Sequence, residues 1–193
     1  MLERNLFQVD VRESEQGRGY WASRDWIGAA EAGVRSADIV VVPWEGLKEN
    51  LPISFPQGTS DFVRKLKQAG LGEGALAATP ETYVELALHA KSWRFPTLVL
   101  TALAFPTLAG FLSTEMHELV HEAKPNDRVE LKIIVEGDHG KSISVDYKGP
   151  PGRAVETITS EVERYLPAID GSKGKPVGKG HEHGKHVAPK GKQ

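Results

Sequence analysis

The alternation of apolar and polar positions along the chain predicts most of its elements. Phe7, Val9 and Val11 alternate with Gln8, Asp10 and Arg12, the period of a half-buried strand. After the turn residues Gln16-Gly-Arg-Gly19, Ser23 is placed to cap a short helix. Its apolar residues Trp26, Ile27, Ala30 and Val34 recur at helical spacing, and it ends near Ser36. Ile39 to Val42 is an unbroken β-branched run between Asp38 and Pro43, as expected of a central strand covered on both faces. From Pro43 to Thr59 the chain carries three prolines and two glycines, with Trp44 and Phe55 among them, which reads as a long loop with aromatic anchors. Thr59 or Ser60 then caps a helix with Phe62, Val63, Leu66 and Ala69 on one face and Gly70 at its end. Val84, Leu86, Leu88 and Ala90 alternate with Glu85, Ala87 and His89, which favours a strand, although Thr79-Pro80 could equally open a helix.

The stretch from Phe95 to Thr114 carries no charge over twenty positions and lies between Arg94 and Glu115. About twenty apolar residues are what a helix needs to cross a bilayer core. This predicts one long apolar helix, either transmembrane or buried in a soluble domain, with Pro106 bending it or marking a break between two shorter segments. Beyond it, Val129, Leu131, Ile133 and Val135 alternate with polar neighbours, Gly137-Asp-His-Gly140 turns the chain, and Ile143, Val145 and Tyr147 alternate on the return, a hairpin pattern. Val155, Ile158, Val162 and Leu166 then share one face of a final helix ended by Pro167. The expected fold class is α/β (α+β). An N-terminal strand/helix part spans residues 1–92, the apolar helix 93–123, a ββα unit 124–168 and a flexible Gly/Lys/His tail 169–193.

Composition narrows the chemistry. The 193 residues include no cysteine, so disulfides, thiolate metal sites and cysteine nucleophiles are excluded. A net charge of −2 divides into +5 on Gly171–Gln193, from six Lys and one Glu, and −7 on the remainder. An acidic body argues against nucleic acid as a partner. The first residues lack the basic stretch, apolar run and small-residue cleavage site of a signal peptide. No Walker loop, GxGxxG after a strand or GxSxG elbow is present.

One segment carries catalytic chemistry. His117-Glu-Leu-Val-His121 matches HExxH, in which a helix sets two imidazoles one turn apart as ligands for zinc. Glu118 would then deprotonate a zinc-bound water. The pentapeptide resembles that of the zincin metallopeptidases, and the resemblance implies His117 and His121 as metal ligands and Glu118 as general base. Glu115 and Glu122 stand where the broader pattern has uncharged residues, and the following residues supply no third histidine. Asp138, His139, Glu156, Glu161 and Glu163 are the candidates for a third ligand. The same segment also reads as the solvated end of a helix. His181, His183 and His186 could chelate a transition-metal ion or simply belong to a polar tail. Glu130-Leu-Lys132 resembles the second half of a restriction-type nuclease motif, but no aspartate precedes it on a suitable strand, and alternation places both residues on a solvated hairpin face.

The layout of an α/β part, an apolar helix, the hairpin Val-Glu-Leu-Lys-Ile-Ile-Val-Glu-Gly with Ser-Ile-Ser-Val-Asp-Tyr, and a closing helix, over residues 38 to 166, resembles the effector-associated constant components of bacterial conflict systems. That resemblance implies an adaptor without catalysis of its own and transfers no residue roles. The leading expectation is therefore a non-catalytic interaction protein held at a membrane, or on its cytoplasmic face, through Phe95 to Thr114, with an unknown protein partner and no cofactor. A zinc metallopeptidase and a soluble, cytoplasmic α/β domain are the alternatives.

Overall fold

The computed structural model describes residues 8–45, 53–71, 75–76, 83–87, 92–122, 124 and 127–170. The strands are β1 (Gln8–Ser14), β2 (Ile39–Val42), β3 (Ile53–Pro56), β4 (Ala75–Leu76), β5 (Tyr83–Leu86), β6 (Ser92–Arg94), β7 (Thr97–Thr101), β8 (Arg128–Glu136) and β9 (Ser142–Gly149). The helices are α1 (Arg18–Ala22), α2 (Glu31–Ser36), α3 (Thr59–Gln68), α4 (Phe105–Glu122) and α5 (Pro151–Ile169), with 3-10 turns at Gly28–Ala30 and Ala102–Ala104. The mixed α/β class is as expected. One seven-stranded sheet runs β1-β9-β8-β7-β2-β4, with β6 also on β8, and β3 pairs β5 in a separate two-stranded sheet. Within the large sheet β7 and β8 are parallel and joined by α4, while β8–β9 and β9–β1 are antiparallel.

The side-chain period of two sorts this sheet into two cores. Ile39, Val41, Leu98, Leu100, Leu131, Ile133, Ile143 and Val145 face α3, α4 and α5, whose Phe62, Leu66, Leu108, Leu112, Ile158 and Val162 complete one cluster. Val40, Val42, Val99 and Ile134 point to the other face and meet Trp21, Ala22, Ile27 and Val34. The expected β-branched central strand is β2, fully buried along its length.

The single apolar helix over Phe95–Thr114 is not what forms. Thr97–Thr101 is a strand, and the helix begins only at Phe105. Pro106 occupies its first turn, where the missing N–H leaves nothing unsatisfied. The break between two segments falls before Phe105, dividing a strand from a helix, and not at Pro106 itself. The stretch is free of charge for two separate reasons. Strand β7 lies between β8 and β2 with both faces covered, so Leu98, Val99 and Leu100 are all buried. Within the stretch, helix α4 buries Phe105, Leu108 and Leu112, while its exposed positions there are the uncharged Pro106, Thr107, Gly110, Ser113 and Thr114. Among the described residues no helix is long and apolar enough to cross a membrane. Phe95 to Thr114 therefore does not form the expected membrane-spanning helix.

The smaller features are local. Strands β6 and β7 run along the same edge of β8, but Arg94 pairs with Glu130 and Leu98 with Ile133, so four steps on one strand match three on the other. The extra residue is a β-bulge at Phe95-Pro96, where proline has no N–H to give the ladder. Ser23 ends α1 rather than opening a helix, and Gly28, at φ 50°, helps separate α1 from α2. At the start of α3 neither Thr59 nor Ser60 serves as the cap residue. Gly58 holds that position at φ 88°, and Glu85 of β5 reaches across to accept from the Gly58 and Ser60 amides at 2.8 Å each. Helix α5 continues through Pro167 to Ile169. The predicted tail beyond Asp170, and the strand residues after Ala87, lie outside the described residues.

Two substitutions separate a packed helix from a lipid-facing one. Leu108→Ala should cost about 2–5 kcal/mol in denaturant unfolding, as buried leucines do. Thr107→Lys, at an exposed position of the same helix, should stay within about 0.5 kcal/mol. Glu85→Gln should cost about 1 kcal/mol at neutral pH, the usual worth of a helix cap. Burial raises the Glu85 pKa, but hydrogen bonds from the Ser60 side chain, the Ser60 amide and the Gly58 amide outweigh it and hold it below the ordinary value. The stabilisation is thus present above the ordinary carboxylate range and is lost as pH falls through the lowered value, so urea midpoints of the two chains should converge in acid.

Candidate functional site

The helical layer on the α1–α2 side covers only part of the sheet. Glu136 of β8 anchors it: its carboxylate accepts from the Arg18 amide at 2.8 Å at the start of α1 and lies 3.5 Å from the Arg18 guanidinium. Gly17 allows this approach, because a Cβ there would stand 2.7 Å from the Glu136 carboxylate oxygen. With α1 fixed at that end, the opposite part of the same face, across β1, β9 and β8, is left uncovered by the described residues.

The open part is a cleft of about 550 Å³. Its floor follows from strand register. Gln8, Lys148 and Glu130 form one cross-strand row, and Asp10, Asp146 and Lys132 the next. Trp21, Pro43, Trp44 and Glu45 form the wall towards the helices, and Phe95 and Thr97 lie at the β7 side. The Trp21 indole N–H donates to the Gln16 carbonyl at 3.0 Å, and Glu45 gathers Gln16, Tyr20 and Arg24 within 3.0 Å. The wall is therefore built and not a loose loop end.

The charges of the floor are mostly paired. Glu130 lies 2.8 Å from Arg94 and 2.6 Å from Lys148; both are charge contacts whose angles fall short of hydrogen bonds. Arg94 also stands 5.5 Å from the centre of the Trp44 ring, a cation–π contact. Asp10 and Asp146 are like charges directly opposite one another, normally a destabilising pairing. Arg12 offsets it from 4.0 Å and 3.5 Å respectively, and Ser144 donates to Asp146 at 3.0 Å. Among the described residues Lys132 makes no ion pair or hydrogen bond, although it is half-buried in the floor. An ammonium with no partner among the described residues, in a cleft with an aromatic wall, suits a ligand or side chain carrying an acid group.

The solvated hairpin face expected for Glu130 and Lys132 is this floor. Alternation gave the correct side of the hairpin. What could not be read locally is that β1 and the Trp44 loop would wall it, since these come from residues far away in sequence.

The HExxH segment lies on α4, on the other side of the sheet. His117 and His121 are exposed and face each other, with Nε2 atoms 3.2 Å apart and ring centres 4.6 Å apart. Glu118 points elsewhere: Lys65 of α3 donates to it at 3.2 Å and to Glu115 at 2.8 Å. The Glu115 hydrogen bond leads in holding the Lys65 pKa above its ordinary value. Among the described residues no three His, Asp or Glu side chains gather around a common point. Asp138 and His139 sit in the β8–β9 turn. Strand β8 starts just after α4 and runs nine residues away from its end, about 26 Å at the usual rise, so the hairpin cannot fold back onto the histidines. The fold thus brings the two imidazoles together and leaves Glu118 to a lysine.

Beneath the cleft, Tyr147 gives a pH signature. Burial pushes its phenol up to about 12, partly opposed by Arg153 and Arg128, and its hydroxyl donates to the Pro150 carbonyl at 2.7 Å. The neutral form is favoured in the folded chain, so this stabilisation is whole below about pH 10 and is lost as pH climbs through about 12. In an ultraviolet titration one tyrosine should ionise last, and Tyr147→Phe should remove that step at a cost of about 1 kcal/mol.

No family model, curated protein or solved structure matches this chain.

Proposed function

We propose that this protein is a non-catalytic interaction protein, an adaptor that meets its partner at the open half of its large sheet. The observation that carries this is the cleft, with Lys132, which has no partner among the described residues, in its floor and Trp44 in its wall. Its charged residues are arranged as cross-strand pairs, a pattern that positions and selects an incoming charged segment. A partner presenting a carboxylate to Lys132 would replace that ammonium's water with a charge-assisted hydrogen bond. The resemblance of residues 38 to 166 to effector-associated constant components points the same way, towards an adaptor. A zinc peptidase is supported less well, because Glu118 is engaged by Lys65 and no third ligand stands near the histidines among the described residues.

A photo-crosslinking residue placed at Gln8, on the rim of the cleft, should capture a partner of defined mass in the native cell. The same residue at Arg64, on the exposed side of α3, should not. Lys132→Glu should reduce capture from Gln8 at least about tenfold, a change of roughly 1.4 kcal/mol, while Glu118→Gln should leave it unchanged. Equal capture from Gln8 and Arg64, or capture indifferent to Lys132→Glu, would remove the cleft from the function.

A further inference from the structure

The histidine pair on α4 is not used by the cleft, which lies across the sheet from it. Both rings are exposed, one helical turn apart, and their Nε2 atoms approach to 3.2 Å. The tautomer decides which ring donates across that gap, and an Nε2 of each ring faces it.

We infer that His117 and His121 form a two-imidazole site for a divalent transition-metal ion, without the hydrolytic chemistry of a zinc peptidase. Two nitrogens 3.2 Å apart can each lie about 2.0–2.1 Å from one ion and subtend about 100° at it, between octahedral and tetrahedral values. The backbone need not move, because the helix already fixes the spacing, so the bound ion adds little ordering cost. Imidazole donors suit Cu(II), Ni(II) and Zn(II), with Cu(II) bound most tightly. The neighbouring carboxylates do not complete a catalytic set. Glu115 and Glu118 are held by Lys65, and the ion's remaining positions would carry water. On the other flank α5 comes close, since a Cβ on its Gly152 would stand 3.7 Å from the Val120 side chain, while the imidazoles are exposed.

The probe is Cu(II) added to the full chain carrying His181→Ala, His183→Ala and His186→Ala, which removes the competing tail imidazoles. Calorimetry should find one site, and electron paramagnetic resonance should show coupling to two equivalent imidazole nitrogens. His117→Ala and His121→Ala should each weaken binding at least about tenfold, and to a similar extent, because either loss destroys the chelate. His139→Ala, in the distant β8–β9 turn, should leave it intact. Circular dichroism should match across the set, since both positions are exposed and alanine favours helix. No Cu(II) binding in the tail-substituted chain, or binding that survives either substitution on α4, would overturn the site.

Discussion

Two adjacent strands of one sheet, β2 and β7, together with β8 at Ile134, must be hidden from water on both faces, and the rest of the molecule follows from that requirement. Val40, Val42, Val99 and Ile134 face one side; Ile39, Val41, Leu98, Leu100 and Ile133 face the other. Each such side chain is worth roughly 1.5–3 kcal/mol when fully buried, so neither face can be left bare. Helices α3, α4 and α5 close the larger side. The short α1–α2 layer closes the other only where the strands are apolar, and it stops where their outward residues become charged.

That boundary is what creates the cleft. Floor residues Asp10, Asp146, Glu130 and Lys148 could not be placed under a helix without desolvating several charges, a cost that even paired ions recover poorly. Left open, Asp10, Asp146 and Lys148 keep much of their exposure, and Lys148 pairs with Glu130 across the strands. The anchoring of α1 on Glu136 at one end, with Gly17 permitting the close approach, fixes how far the covering layer extends. The cleft is thus a consequence of packing, with its chemistry supplied by cross-strand register.

The two features with chemical potential lie on opposite sides of the sheet and have different origins. The cleft is assembled from β1, β8, β9 and the residues after β2, which are far apart in sequence. The histidine pair comes from one turn of a single helix and needs only that helix to exist. Glu118, which the pentapeptide would have made a base, is drawn off by Lys65 because α3 happens to pack alongside. A motif read along a helix fixes which residues are neighbours on it. It does not fix what stands opposite.

By itself the sequence determined the local periods: the hairpin β8–β9, the β-branched β2, the amphipathic α3, the face of α5 and the meeting of His117 with His121. Each of these depends on residues within a few positions of one another, so propensity and side-chain direction decide it. The tertiary structure decided what covers an uncharged stretch. Residues 95–114 looked like a single rod because burial between two strands and burial of one helical face leave the same mark, an absence of charge. It also decided strand order, the cap that Glu85 lends to α3 and the walls of the cleft. All of these join residues distant in the chain, and hydrophobicity alone does not say whether lipid, water or another part of the same molecule stands on the far side.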